Sequence, residues 1–310
     1  VQAVSVTRVS EPMLFATSGA EEIPSDLRTG LPNVGDPIAT EAVPVFCWHG
    51  ISGGTLPSST RVSRARFAAQ LQGLADAQAQ PLTLEDYDRQ RGLRPVGSRQ
   101  CLLVFDDGYE SVLHHAFPLL AERGWTATVF PVLDFIGQRA RWDPAAWLHA
   151  PRHLDRRQLN TLLDAGWQLG LHGRSHRPLD RCGLEVLDAE LVSARADLEL
   201  EFGLLIRVIS WPWGLSDRRA RRLAEAAGLH LGLGRAGSAD PMDRPRRMIY
   251  GSHGPRAMAR MLAGAEEDFR QRLAALGAGL SAELARRSSD GNRSTAQNSV
   301  QAIGSESLDR

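Results

Sequence analysis

Short apolar runs alternate with amphipathic stretches through the middle of this chain. Residues 43–48, 101–105, 126–132, 167–171, 205–210 and 229–233 are apolar runs of strand length. Between them, apolar side chains recur at helical spacing. Phe67, Leu71 and Leu74 share one face, as do Val112, Ala116, Leu119 and Leu120 ahead of Gly124. Asp155 can cap a helix carrying Leu159, Leu162 and Leu163 that ends at Gly166. A long helix follows with Leu184, Leu187, Leu191, Ala194, Leu198 and Phe202 in register, stopped by Gly203. Ser216 can cap the next, which carries Ala220, Leu223 and Ala227 before Gly228. Strands that alternate with helices predict a parallel β/α architecture. Six or seven such units suit a closed or distorted barrel, with a doubly wound sheet as the alternative.

The pattern is absent from both ends. Residues 1–42 are rich in Ser, Thr, Glu, Pro and Gly without a sustained period and read as an extension. The β/α domain is expected over 43–265. Residues 266–310 are expected to hold a helix carrying Phe269, Leu273, Leu276 and Leu280, then a polar disordered tail. With 310 residues, there is room for one large domain plus such extensions.

Composition narrows the chemistry. The formal net charge is zero, which argues against nucleic acid or an anionic membrane as partner. Every basic residue other than histidine is arginine, so a Schiff-base lysine or a phosphate-loop lysine is excluded. Cys47, Cys101 and Cys182 are too few and too far apart for a disulfide framework or a zinc ribbon. No apolar run is long enough for a membrane span. No export signal opens the visible sequence, which reads as cytoplasmic unless a signal segment has been removed. The oligomeric state is not encoded in any pattern here.

Three polar motifs fall at the ends of three expected strands, where a β/α fold builds its site. Asp106-Asp107-Gly108-Tyr109 follows the second strand. Adjacent carboxylates repel unless a cation or a proton takes up the charge; taken alone, the motif also suits a turn. His172-Gly173-Arg174-Ser175-His176 follows the fourth, with two imidazoles close enough to share a metal. Trp211-Pro212-Trp213-Gly214 follows the fifth and can form either a rigid apolar wall or a core turn. One carboxylate plus two imidazoles makes a three-ligand site with open positions, and leaves the second carboxylate free to act as a base.

At these residues the sequence resembles the polysaccharide deacetylase family, the NodB-homology domain of carbohydrate esterase family four. Val104 to Gly108, His172 to His176 and Ser210 to Gly214 stand in the order of the family motifs. Val45-Phe46-Cys47-Trp48-His49-Gly50-Ile51 resembles the first strand of the subgroup acting on poly-N-acetylglucosamine. The resemblance implies a distorted (β/α) barrel of about seven parallel strands. It implies a divalent metal, commonly zinc, on Asp107, His172 and His176, and Asp106 as general base. His253 is the implied proton donor to the leaving amine. His49, Tyr109, Arg174, Trp211, Pro212 and Trp213 are implied at the substrate, with the backbone N–H of Tyr109 facing the oxyanion.

The implied reaction removes N-acetyl groups from amino-sugar residues of a saccharide. The third motif carries Ser210 where the family has arginine, so another residue must orient the base; Arg174, Arg246 and Arg247 are candidates. Hydrolysis of a non-sugar amide at the same metal, or saccharide binding without turnover, are the alternatives.

Overall fold

The computed structural model describes residues 39–52, 60–139, 150–235 and 238–265. Seven parallel strands follow one another in chain order around a single curled sheet. They are β1 (Val45–Trp48), β2 (Gln100–Asp107), β3 (Thr128–Pro131), β4 (Gln168–Leu169), β5 (Val208–Ser210), β6 (Leu231–Gly234) and β7 (Arg244–Met248). β7 pairs with β1, so the last strand returns to the first. On the far side, Leu171, two residues past β4, makes a lone parallel bridge to Ile209 in β5. This is the expected distorted barrel, with its weakest seam between β4 and β5.

Period-two alternation divides the side chains between two cores. Val45 and Cys47 of β1, Leu102 and Val104 of β2, Val208 of β5, and Leu231 and Leu233 of β6 fill the barrel interior. Phe46, Trp48, Leu103, Phe105 and Ile209 point outward, under the helices. There Trp48, Phe105 and Trp167 stack in succession, with centroids 5.7 Å and 5.6 Å apart.

The six expected apolar runs all contain strands, most of them trimmed at their ends. A seventh strand was expected but not located, because three arginines and a proline in five residues hide β7 from any apolar count. Thr40–Ala42, read as part of the extension, pair antiparallel with Leu93–Pro95.

The helices follow their apolar faces. Phe67, Leu71 and Leu74 are buried in helix Arg64–Asp76. Asp155 caps Arg156–Asp164 through a reciprocal capping box with Gln158. The long helix expected from Leu184 is three consecutive pieces, Leu184–Leu187, a π-helical turn Asp188–Ser193, and Ala194–Phe202. Leu184 itself is 67% exposed, since it sits at the helix's first turn, beyond the reach of the core. Asp217, not Ser216, caps helix Arg218–Ala226, its carboxylate accepting from the N–H groups of Arg219 and Ala220. None of the helices among the described residues is long and apolar enough to cross a membrane. The helix expected over 266–287 lies outside the described residues.

Candidate active site

Strand alternation decides where the two adjacent carboxylates go. Asp106 continues the inward series of Leu102 and Val104, so its side chain enters the top of the barrel interior. Asp107 breaks the strand with a positive φ of 65°, and Gly108 follows at 69°. Left-handed backbone at a non-glycine residue is strained, and it turns the second carboxylate away from the first. The same signature marks the other two motifs, in His176 (φ 61°) and Trp213 (φ 61°).

Arg246 meets Asp106 there. β7 brings its guanidinium into an ion pair with Asp106 Oδ2, both groups being buried. Arg246 also donates to the Ser210 hydroxyl at 3.0 Å and to the Trp211 carbonyl at 2.9 Å, while Ser210 Oγ donates to Asp106 Oδ2 at 3.1 Å. Of the three arginines named from the sequence, Arg246 is the one that pairs with Asp106. Among the described residues Asp106 Oδ1 accepts no hydrogen bond, which leaves a fixed acceptor open to a reacting molecule. Of the other two candidates, Arg174 reaches Asp134 and Asp197, and Arg247 donates to the carbonyls of Met261 and Ala265.

Asp107, His172 and His176 converge. Their ligand atoms lie within 4.8 Å of one another, and all three side chains are buried. Asp107 Oδ1 is 3.4 Å from His172 Nε2 and 3.1 Å from His176 Nε2. His172 Nδ1 lies 2.6 Å from the Ser210 carbonyl, which can only accept, so Nδ1 carries the proton. In a neutral ring, Nε2 then turns a bare lone pair towards a carboxylate oxygen. Two acceptors facing each other in a buried site are reconciled by a cation between them. The donor set of one oxygen and two nitrogens, with one imidazole oriented by a carbonyl, fits a divalent metal such as zinc.

The electrostatics agree with that ligand set. Burial acts to raise the Asp107 carboxyl, but the imidazoles of His176, His49 and His172 outweigh it and hold the group well below the usual carboxylate range. Burial lowers His176, against the pull of Asp107. At neutral pH the carboxylate is therefore ionised and the His176 imidazole neutral, the forms in which such groups bind metal.

Around this centre the remaining residues are placed unevenly. Half-buried His49, just past β1, is pushed down to about 4 by burial, with Asp107 opposing and Arg246, His172 and His176 adding to the shift. Tyr109 is buried and packs its ring 4.9 Å from that of His153. Trp213 packs against His176 at 5.2 Å and donates its indole N–H to the His176 carbonyl at 3.0 Å. Trp211 and Pro212 are buried, and the Trp211 indole donates to the Met242 carbonyl at 2.7 Å. Of the expected aromatic wall, only Trp213 keeps a partly exposed ring. His253 is buried in the loop after β7, its Nδ1 accepting from the Tyr250 N–H at 2.9 Å. Burial lowers its pKa.

Two buried residues at the centre were missed in the sequence. His153 donates from Nδ1 to the Asp107 carbonyl at 2.7 Å, supporting this strained residue from behind. A lone histidine in a loop gives no signal of this. Glu190 accepts from the backbone N–H groups of Arg174 and Ser175 at 2.7 Å and 3.0 Å. Its signal was faint: an acid three residues after Leu187, on the apolar stripe of a helix.

Comparison with known proteins points to one family. The family model described as polysaccharide deacetylase matches residues 94–232. YxkH of Bacillus subtilis (strain 168), a protein named as a polysaccharide deacetylase, is 26% identical over 192 residues, 62% of this chain and 63% of that protein. The match thus spans less than two thirds of that relative's length. Among solved structures, the Streptococcus pyogenes deacetylase PplD in complex with acetate superposes with a TM-score of 0.62 at 17% identity, covering 72% of this chain and 99% of that one. IcaB from Ammonifex degensii gives 0.60 at 22% identity, covering 72% and 97%. Those two likenesses establish the shared fold.

Proposed function

We propose, from the premise that this chain is a relative of the polysaccharide deacetylases, that it is a metal-dependent hydrolase removing N-acetyl groups from amino-sugar residues of a polysaccharide or glycoconjugate. The observation that carries this is the meeting of Asp107, His172 and His176 around one point, beside a second carboxylate held separately by Arg246.

Asp107, His172 and His176 would hold the metal. When bound, a divalent ion supplies Lewis-acid polarisation of the acetamide carbonyl and lowers the pKa of water towards about 7. Asp106 takes the proton of the attacking water on its open Oδ1, while Arg246 and Ser210 fix Oδ2 and keep the carboxylate ionised and aimed. The backbone N–H of Tyr109 faces the developing oxyanion, as the family pattern implies. The leaving nitrogen must receive a proton, and His253, in the loop after β7, is the residue the family pattern offers for that role. The partly exposed Trp213 ring beside His176 can stack on the C–H face of a sugar.

The test is metal analysis of the purified full chain, coupled to acetate release from N-acetylated oligosaccharides and from simple acetamides. The expected result is about one equivalent of divalent metal and release from the saccharides. Asp106→Asn should keep the metal and lose activity by a factor of about 10²–10⁴, the usual worth of a general base. Release from non-sugar amides only would overturn the saccharide assignment. A metallated chain that binds saccharide and releases no acetate would remove the hydrolase reading.

A further inference from the structure

We propose that Glu190 is a positioning residue for the metal-ligand loop, clamping residues 172–176 so that both imidazoles face one point. This rests on reading Asp107, His172 and His176 as a metal site. Glu190 is 3% exposed, on the same helical face as Leu187, Leu191 and Ala194. An ionised carboxylate in such a place is costly unless several donors surround it.

Here the donors are the loop itself. The Arg174 N–H donates to Glu190 Oε2 at 2.7 Å and the Ser175 N–H at 3.0 Å, while the Ser175 hydroxyl donates to Oε1. Arg177 Nε lies 3.6 Å from Oε1 and balances part of the charge. Successive backbone N–H groups converging on one anion form a nest, and the nest lies between the two histidines.

Two further features suit the loop to this clamp. Gly173 has φ 73°, and a Cβ there would come within 2.8 Å of Glu190 Oε2, so a side chain would displace the carboxylate. His176, which carries a ligand nitrogen, holds a strained φ of 61° that needs external support. Glu190 itself is carried on the π-helical turn Asp188–Ser193, a distortion often found where a helix must present one functional side chain.

The experiment measures zinc affinity of the full chain by chelator competition, the visible absorption of the cobalt-loaded protein, and thermal melting of the metal-free form. Glu190→Ala should weaken zinc 10- to 100-fold, the usual cost of losing a group behind the ligands, and should alter the cobalt spectrum. Glu190→Gln has nearly the same shape but turns an amide donor towards the nest, and should weaken zinc about tenfold. Either variant, folded and with wild-type zinc affinity and cobalt spectrum, would overturn the proposal; a lowered melting temperature with unchanged affinity would mean Glu190 is merely structural. His176→Ala separates the two levels. If it loses zinc while the Glu190 variants keep it, only the clamp is wrong; if it binds zinc as tightly as the wild type, the metal site falls and the clamp with it.

Discussion

At the scale of single residues, Arg246 is the one of the three candidate arginines that reaches Asp106. Its guanidinium neutralises Asp106 inside the barrel, where neither group reaches water. Arg246→Leu should destabilise the fold by about 3–5 kcal/mol, because it leaves a buried carboxylate uncompensated. Chemical denaturation will check the loss of stability, and activity should fall with it even where the protein stays folded. Arg246→Lys keeps the charge but not the fork that also reaches Ser210 Oγ and the Trp211 carbonyl, and should recover only part of both. Trp213 separates two contributions in a similar way. Trp213→Phe removes the indole hydrogen bond to His176 and keeps an aromatic face; Trp213→Ala removes both. If the face stacks on sugar, KM for saccharides should rise several-fold in the alanine variant and little in the phenylalanine one. The pair Asp106 and Arg246 illustrates why the site was only half visible. Asp106 stands in a readable motif, whereas Arg246, 140 positions along the chain in a strand too charged to be recognised, was one of three arginines the sequence could not choose between.

At the scale of elements, caps and turns were largely local and therefore legible. Asp155 was identified as a cap, and its carboxylate and Gln158 satisfy each other's backbone groups across the first turn of Arg156–Asp164. Asp155→Ala should cost about 1 kcal/mol, read as a lowered denaturation midpoint with an unchanged slope. Ser216 was named where Asp217 does the capping, an error of one residue between two good acceptors that periodicity cannot separate. The π-helical turn Asp188–Ser193 could not be read at all. Leu187, Leu191, Ala194 and Leu198 keep a helical register whether or not one turn is widened, so the apolar pattern is the same in both cases.

At the scale of the whole molecule, the barrel gathers several imidazoles that burial holds neutral, and this ties stability to pH. His49, His153 and His176 all have folded-state pKa values lowered from about 6.5, His49 to about 4. Below pH 6.5 the unfolded chain therefore binds protons that the folded, metal-free chain refuses. Stability of the metal-free protein should fall as pH drops from 6.5 towards 4, by up to about 1.4 kcal/mol per pH unit for each such group. Asp107 acts in the same direction at lower pH: its depressed carboxyl contributes stability above its unfolded value of 3.8 that is lost as pH falls further. Melting curves with chelator across pH 4–8 will show the slope, and a flat profile would contradict the neutral buried histidines. Zinc at a hundredfold excess over its Kd should add about 2.7 kcal/mol near neutral pH. What the sequence determined by itself was whatever a short stretch of chain decides: the strand–helix alternation, the caps, and three polar motifs at three strand ends. Only the tertiary structure decided how those motifs complete one another. Ring closure brings β7 beside β1, and so sets Arg246 on Asp106; helix packing sets Glu190 into the histidine loop. Such partners satisfy buried charges across the fold, and no periodicity along a chain records which charge will be buried opposite which.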